Sequence, residues 1–388
     1  MERYNPYELR RTLIPEFIFG SGAMETVDMW VKDLGAKKVF VATDPGVLKA
    51  GWAEIADRLV KNAGLKFVLF SEISQNPKDS EVRDGAGLFR KEGCDLILAV
   101  GGGSVIDCAK GIAAVSAGLI RINEFEGEEL VPLKIPRLIC IPTTAGTSSD
   151  ISRFAMIISG LDNRKFVIKS TKIIPRVSLI DSITTTTLSP EQTAAAGMCA
   201  LTNAIEAYVS TAGSPVTDMH ALRAVNIVCH NLVPAIEHHY DLRYRDRMML
   251  ASVTAGMAFS NSGGGLVHAM AGAVTAATGR NHGECAAVLL EHVVRYNFYS
   301  SAERYTDIAR AMGVDTEGMG HDRVRDALTN EISELRNRAG ISLTLKEMGV
   351  SMDMCAGLSA ISEKGIFSES NPREAGSKEI EGIFTKAL

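Results

Sequence analysis

No apolar run in this sequence approaches the ~18 residues that a transmembrane helix requires. The N-terminal stretch 1–20 also lacks the unbroken apolar core of a signal peptide, because charged residues interrupt it repeatedly. We therefore expect neither a membrane segment nor a secretory leader, and we expect no membrane among the partners of this chain.

The sequence also lacks any CxxC pair, and its cysteines are odd in number and widely spaced. This pattern is typical of free thiols in a reducing compartment rather than of a disulfide framework, so we predict a cytoplasmic location. The seven cysteines are Cys94, Cys108, Cys140, Cys199, Cys229, Cys285 and Cys355.

An excess of basic residues is missing as well. The 41 lysines and arginines are outnumbered by 46 aspartates and glutamates, which leaves a net charge of −5. Without a positive field to displace counterions, nucleic acid is not expected as a partner. The 388 residues are 46% hydrophobic and 22% charged, which is the balance of a soluble metabolic protein long enough for two domains.

The first half of the chain alternates short β-branched runs with stretches of helical periodicity such as Ala53–Ala63 and Glu81–Glu92. Alternation in units of about thirty residues indicates a parallel sheet covered by crossover helices. We expect all of the strands to belong to this one sheet. They are Lys38–Thr43, Lys66–Phe70, Leu96–Val100, Leu138–Ile141, Ala155–Ile158 and Val177–Ile180.

Beyond Asp181 the pattern changes. The stretch 182–190 has the composition of a linker, and the sequence that follows it has helical periodicity and is rich in Ala and Met. We predict an α/β domain at 1–184 followed by an all-helical domain at 185–388, with the boundary good to several residues. The clearest helices are Thr193–Val209, Pro215–Ile236, Arg247–Ser260 and Glu303–Met312.

The third predicted strand runs directly into a glycine-rich turn and then into a helical pattern. Glycines let backbone N–H groups approach an anion, and the helix start adds a positive dipole end, so phosphate binding is predicted here. The alternative is a plain helix start, because Ser104 and Asp107 stand at the spacing of a capping box. The residues of this loop are Gly101, Gly102, Gly103, Ser104 and Asp107.

Two further segments end strands at the same predicted sheet edge. Thr143, Thr144 and Thr147 follow the strand Leu138–Ile141, where hydroxyl groups can bind ribose and phosphate. Asp44 ends the first strand, where a carboxylate favours NAD by accepting from the ribose hydroxyls and repelling a 2′-phosphate. An alternative for Asp44 is that it only begins a Pro-Gly turn.

Together these elements resemble the iron-containing (group III) alcohol dehydrogenases, whose relatives include lactaldehyde reductases and maleylacetate reductases. The motifs occur in family order from about Ile14 onward, and the opening Pro15–Gly20 with the phrase 282–285 resembles a subgroup labelled ErcA-like. The motifs are Gly101–Asp107, Pro142–Thr147, Ala204–Ser210, Leu266–Ala271, His282–Gly283 and Asn371–Arg373.

The resemblance implies a Rossmann-like domain, a helical domain of the dehydroquinate synthase-like type, and an active site between them. It also implies a nicotinamide cofactor, which the Asp44 carboxylate predicts to be NAD rather than NADP, and it favours assembly as a homodimer or larger homo-oligomer. The implied cofactor contacts are Asp44, Asn76, Gly102, Gly103, Ser104, Thr143, Thr144, Thr147 and Lys165.

The family's metal site is altered in this chain. Family members hold a divalent metal with an Asp and a His four residues apart plus two further histidines. The matching positions here are Cys199, Asn203, His268 and His282. A further family histidine with a proton-relay role is Gly272 here, a change that would enlarge the pocket.

Three interpretations stay open at this stage. Cys199 with His268 and His282 can form a soft ligand set, more suited to zinc than to iron, with Asn203 as a weak ligand. Alternatively, the chain reduces a carbonyl without metal and uses His268 or His282 as the acid. The third interpretation is a non-catalytic, nucleotide-binding regulatory homologue.

The predicted function is therefore an NAD(P)-dependent oxidoreductase that interconverts a small alcohol and its aldehyde or ketone by hydride transfer. A different reaction of the wider superfamily, such as that of glycerol dehydrogenase or dehydroquinate synthase, ranks last.

Overall fold

The computed structural model describes residues 11–118, 120–131 and 134–388. Nine strands lie in the first half of this part of the chain, together with five helices. The strands are β1 (Glu16–Phe19), β2 (Lys38–Ala42), β3 (Lys66–Phe70), β4 (Leu96–Gly101), β5 (Gly127–Glu128), β6 (Arg137–Pro142), β7 (Phe154–Ile158), β8 (Lys165–Lys169) and β9 (Val177–Ile180). The helices are α1 (Val27–Asp33), α2 (Pro45–Lys49), α3 (Trp52–Asn62), α4 (Asp79–Lys91) and α5 (Gly103–Ser116).

The main sheet has six strands in the order β1-β9-β6-β4-β2-β3, and every neighbouring pair is parallel. Alternate side chains of β2 enter different cores: Phe40 packs with α4 and α5, whereas Val39 and Val41 pack with α1 and α3. Because both faces are covered, the strands are continuously apolar, as the sequence indicates. The predicted α/β fold class is confirmed.

The expectation for Ala155–Ile158 is wrong. This segment belongs to β7 in a separate three-stranded sheet of order β5-β8-β7, where it pairs antiparallel with β8. A tight turn joins the two strands, and the N–H of Ser159 donates to the carbonyl of Arg164 at 2.9 Å. An apolar run predicts a strand but does not predict which strand it pairs with. Here β7 pairs with β8, the next strand along the chain, instead of joining the main sheet.

After Ile180 the described residues contain no strand, and nine helices follow. The all-helical second half is therefore confirmed, while the boundary at 184 stays a prediction. These helices are α6 (Pro190–Val209), α7 (Pro215–Glu237), α8 (Leu242–Ser262), α9 (Leu266–Thr278), α10 (His282–Asn297), α11 (Ala302–Ala311), α12 (His321–Arg338), α13 (Cys355–Glu363) and α14 (Ser377–Ala387). In the described part of the chain, no helix has the length and apolarity needed to cross a bilayer.

The stretch 182–190 is packed, although its composition is that of a linker. Residues Ser182–Thr185 form a 3-10 turn, and the buried Thr184 hydroxyl donates to the Pro142 carbonyl at 2.7 Å. Ser189 then caps α6, with its side chain accepting from the N–H of Gln192. Thr and Ser are enriched in this stretch because they cap helices and satisfy turns, which composition alone does not distinguish from a free linker.

Candidate active site

A cleft of about 690 Å³ lies between the carboxyl edge of the main sheet and helices α6 and α10. It brings together twelve of the fifteen residues that the sequence nominated. These are Asp44, Asn76, Gly102, Gly103, Ser104, Asp107, Thr143, Thr144, Thr147, Lys165, Cys199 and His282. The other three, Gly101, Asn203 and His268, lie behind its wall and do not line it.

The glycine loop is pressed against the loop that follows β6, residues 143–148, which we call the threonine loop. A Cβ atom on Gly103 would lie 2.4 Å from the Thr147 hydroxyl, and one on Gly102 would lie 3.0 Å from the Thr144 methyl. Helix α5 begins at Gly103 without any side-chain cap, so its first N–H groups are free of a capping side chain. A glycine cradle at an uncapped helix start is the geometry that binds a pyrophosphate.

The capping-box alternative for this loop is wrong. Ser104 lies inside the first turn of α5, and its hydroxyl donates to the Gln75 carbonyl. Asp107 is buried and accepts from the N–H of Met156 at 3.1 Å. Burial raises the pKa of this carboxyl above its ordinary value. Both side chains therefore hold the loop against neighbouring segments instead of capping the helix.

Asp44 and Asn76 each have a structural contact as well as a place in the cleft. One carboxylate oxygen of Asp44 accepts from the N–H of Val47 at 2.9 Å and so caps α2. The Asn76 side chain donates to the carbonyl of Gly279 at 3.2 Å, which links the α/β half to the turn before α10. The local-turn interpretation of Asp44 is thus satisfied by one of its two oxygens.

Lys165, Cys199 and His282 all line the cleft, and the Lys165 charge acts on the pKa of the other two groups, so the three lie near one another in the part that we call the deep end. Both ring nitrogens of His282 are buried and have no hydrogen-bond partner among the described residues. Burial, aided by the nearby Lys165 charge, lowers the pKa of His282 well below its ordinary value. Burial raises the pKa of Cys199 to about 12. Near neutral pH the imidazole and the thiol are therefore both uncharged.

His268 is held behind this wall by a buried carboxylate. Its Nδ1 lies 2.5 Å from the Glu206 carboxylate, and its ring centroid is 5.5 Å from that of His282. Glu206 also accepts from the N–H groups of Gly265 at 2.9 Å and Val267 at 2.6 Å. Glu206 thus orients His268 and satisfies orphan donors at the start of α9.

Glu206 did not appear among the nominated residues, although it stands inside a quoted motif three residues after Asn203. The signal that could have identified it is a charged residue in an otherwise apolar helix. The contribution of the stretch 182–190 to the cleft was not predicted either. Thr187 and Leu188 line the cleft, and the Thr187 hydroxyl accepts from the Trp52 indole N–H at 2.9 Å.

The residues at the family's metal positions do not fit a metal ion. Among the described residues, no group of three or more His, Cys, Asp or Glu side chains is placed to hold one. Asn203 is buried, and its side-chain N–H₂ donates to the Gly146 carbonyl at 3.1 Å. At two of these positions the chain has the Cys199 thiol and the Asn203 amide in place of the family's carboxylate and imidazole, a softer and weaker donor set for iron(II).

The model of the family described as "Iron-containing alcohol dehydrogenase" matches residues 15–182, and the model of the C-terminal part of that family matches residues 193–388. The chain belongs to the iron-containing alcohol dehydrogenase family. It is 37% identical to the 1,3-propanediol dehydrogenase of Citrobacter freundii over 385 residues, which cover 98% of this chain and 100% of that protein.

Two solved structures of the family are similar throughout. A 1,3-propanediol oxidoreductase structure has a TM-score of 0.94 at 35% identity and covers 98% of this chain and 100% of that one. A sulfoacetaldehyde reductase from Bifidobacterium kashiwanohense, solved with NAD+, has a TM-score of 0.86 at 27% identity and covers 98% and 99% of the two chains. The recognition of the family from its motifs is confirmed, while the narrower ErcA-like subgroup stays a prediction.

Proposed function

We propose that this protein is an alcohol and aldehyde oxidoreductase that uses NAD to interconvert a small alcohol with its aldehyde or ketone. The observation that carries the proposal is the single cleft, which joins the glycine cradle to a deep end formed by Lys165 and His282. A dinucleotide whose pyrophosphate bound at the glycine loop would lie in the same cleft as Lys165 and His282. The relatives named for alcohol and aldehyde chemistry, one of them solved with NAD+, support the same assignment.

The residues present fit a nicotinamide cofactor. Gly102 and Gly103 keep the loop free of Cβ atoms, and the start of α5 offers uncapped N–H groups to the pyrophosphate. Asp44 lines the cleft with one oxygen left over from its cap, in position for ribose hydroxyls. When bound, the cofactor would supply or accept the hydride.

His282 is the side chain best placed to orient the other reactant. His282 offers two unpartnered nitrogens to a substrate oxygen, and as a neutral imidazole it donates from one and accepts at the other. His268 does not line the cleft, so its contribution is to pack against His282 rather than to contact substrate. Gly272 is absent from the cleft lining as well, so any room it adds lies elsewhere.

The test is a titration of the purified protein with NADH, followed by a screen of small aldehydes and ketones in which loss of NADH absorbance is recorded. Saturable NADH binding with turnover of at least one carbonyl compound is expected. Binding without turnover across the screen would contradict the catalytic assignment and favour a nucleotide-binding regulatory protein. Absence of NADH binding would contradict both.

The NAD preference is tested at Asp44. Asp44→Ser keeps an oxygen that caps α2 but removes the charge, whereas Asp44→Gly removes both. In both variants, the ratio of kcat/KM with NAD to that with NADP should fall at least about tenfold, because repulsion of the 2′-phosphate is lost. An unchanged ratio in Asp44→Ser, with its unfolding free energy intact, would show that Asp44 serves only as a cap.

A homodimer or larger assembly and a cytoplasmic location remain predictions. Sedimentation of the purified chain would establish the first.

A further inference from the structure

Among the described residues, the lining of the cleft includes one lysine or arginine side chain and no group of three or more His, Cys, Asp or Glu side chains placed to hold a metal ion. Lys165 is the only lysine or arginine among the described residues that line it. Asp44 and Asp107 are the acidic residues there, and Cys199 and His282 line the deep end together with Lys165. Among the described residues of the lining, Lys165 is therefore the one positively charged side chain available to a negative charge that develops on a substrate oxygen, beside the N–H that His282 can donate.

Lys165 is placed for that task by the small sheet. It is the first residue of β8, and its side chain shares the deep end of the cleft with Cys199 and His282. Within the described ranges, its ammonium group makes neither a hydrogen bond nor an ion pair with a protein group. Burial lowers the pKa of Lys165, while the Asp107 charge acts in the opposite direction. An unpaired, half-buried ammonium in a cleft is costly unless a ligand uses it.

We propose that Lys165 is a catalytic residue that takes the place of the family's metal ion by stabilising the negative charge on the substrate oxygen. The proposal rests on the proposed oxidoreductase function. In reduction, a bound nicotinamide cofactor would supply the hydride with its two electrons to the carbonyl carbon. The π electron pair of the carbonyl would then move to oxygen, next to the Lys165 ammonium, and the oxygen would take a proton from water, whose hydroxide is neutralised by a proton from the solvent. Oxidation of the alcohol follows the same steps in reverse.

This role differs from a contact with the cofactor ribose, which the family resemblance implies for Lys165. A ribose contact affects the dissociation constant of NADH, whereas stabilisation of the developing charge affects the rate of hydride transfer once NADH is bound. Loss of one donor to a developing oxyanion typically lowers kcat about 100-fold to 1,000-fold. The two roles are therefore separable by single-turnover measurements at saturating NADH.

The experiment compares Lys165→Ala with Lys169→Ala. Lys169 ends the same strand on the same face, pairs with Glu128 and lies outside the cleft. The hydride-transfer rate at saturating NADH should fall at least about 100-fold in Lys165→Ala and stay within about threefold in Lys169→Ala. Added ethylammonium should restore part of the rate in Lys165→Ala, because it returns a cation to the vacated space, and sodium at equal ionic strength should not.

Metal dependence is measured on the same wild-type preparation. Elemental analysis should find no stoichiometric metal, and dialysis against EDTA should leave the rate unchanged. The proposal is overturned if EDTA abolishes activity that zinc or iron restores, or if Lys165→Ala keeps its rate at saturating NADH and only binds NADH more weakly. A wild-type protein that binds NADH and reduces no carbonyl compound would instead contradict the proposed function itself.

Discussion

Glu206 is a buried charged residue in the helical second half of the chain. Its carboxylate is 4% exposed and accepts three hydrogen bonds, from two backbone N–H groups at the start of α9 and from His268. The charge is tolerated in the core because every donor around it is directed at a carboxylate oxygen. The same contacts fix which nitrogen of His268 faces its partner, so the residue links helix capping to the wall of the site.

Replacement of Glu206 by Gln should lower the unfolding free energy by about 2 kcal/mol, because an amide N–H₂ would then oppose buried N–H donors. The measurement is equilibrium urea unfolding, with the exposed Glu54→Gln variant as the matched control. A Glu206→Gln protein as stable as the wild type would show that a neutral acceptor suffices at this position.

At the scale of elements, helix α9 has open space beside Gly272 that a larger side chain could occupy. A Cβ atom on this interior helical glycine would meet no atom within 4 Å. Gly197 in α6 is the opposite case, because its Cβ would lie 2.3 Å from the fully buried Leu232. No neighbouring atom therefore requires a glycine at 272, whereas Gly197 permits the close packing of α6 on α7.

Gly272→Ala should therefore raise the unfolding free energy by about 0.5–1 kcal/mol through helix propensity alone. Gly197→Ala should lower it by about 1–3 kcal/mol because the crowded core must shift. Urea unfolding of the two variants side by side provides the check, and the same sign in both would contradict the packing argument.

The start of α8 is stabilised by charge. Asp241 accepts from the N–H of Arg243 at 2.9 Å and from its guanidinium at 2.6 Å, and these hydrogen bonds lower the pKa of Asp241 to about 2. Because the folded pKa lies below the ordinary 3.8, the stabilisation is complete above that value and is lost as pH falls toward 2. The Tm difference between wild type and Asp241→Asn should accordingly shrink between pH 5 and pH 2. A difference that is constant with pH would rule out the charge as its cause.

At the scale of the whole molecule, the two halves meet through glycine. A Cβ atom on Gly146 would lie 2.3 Å from the Ala196 carbonyl of α6, and one on Gly256 of α8 would lie 2.6 Å from the Cβ of Ser148. The Ser148 hydroxyl donates to the Ser252 carbonyl at 2.7 Å across the same contact. The threonine loop of the cleft is thus seated directly on helices of the other half.

Gly146→Ala should displace this loop, because the obstructing atom is backbone and cannot rotate away. We expect an unfolding free energy lower by about 1–3 kcal/mol together with weaker NADH binding. Gly320→Ala, where a Cβ meets no atom within 4 Å, is the matched control. If Gly146→Ala bound NADH as the wild type does, the loop would not depend on its seat against α6.

Much of this architecture was predictable from local patterns. Strands such as Lys66–Phe70 and Val177–Ile180 have the predicted bounds because a sheet covered on both faces demands unbroken apolar runs. The glycine loop and the threonine loop were predicted for the cleft because they follow strands of one parallel sheet, whose carboxyl ends share an edge. The helical second half follows from its periodicity. Each of these inferences depends on residues that are close in sequence.

The tertiary structure alone decided which strands pair with one another and which distant groups the buried side chains bind. The short strand Glu16–Phe19 exists because it pairs with Val177–Ile180, and Ala155–Ile158 left the main sheet because a neighbouring strand was available. Asn203 is drawn to the Gly146 carbonyl 57 residues away, and Asn76 to a carbonyl 203 residues away.

Lys165 is the only lysine or arginine among the described residues that line the cleft, and this depends on which side chains converge there. Burial, pairing and charge are set by contacts between distant segments, and no local pattern encodes them. The sequence by itself therefore determined the fold class, the family and most of the cleft, while the chemistry of its deep end was decided by packing.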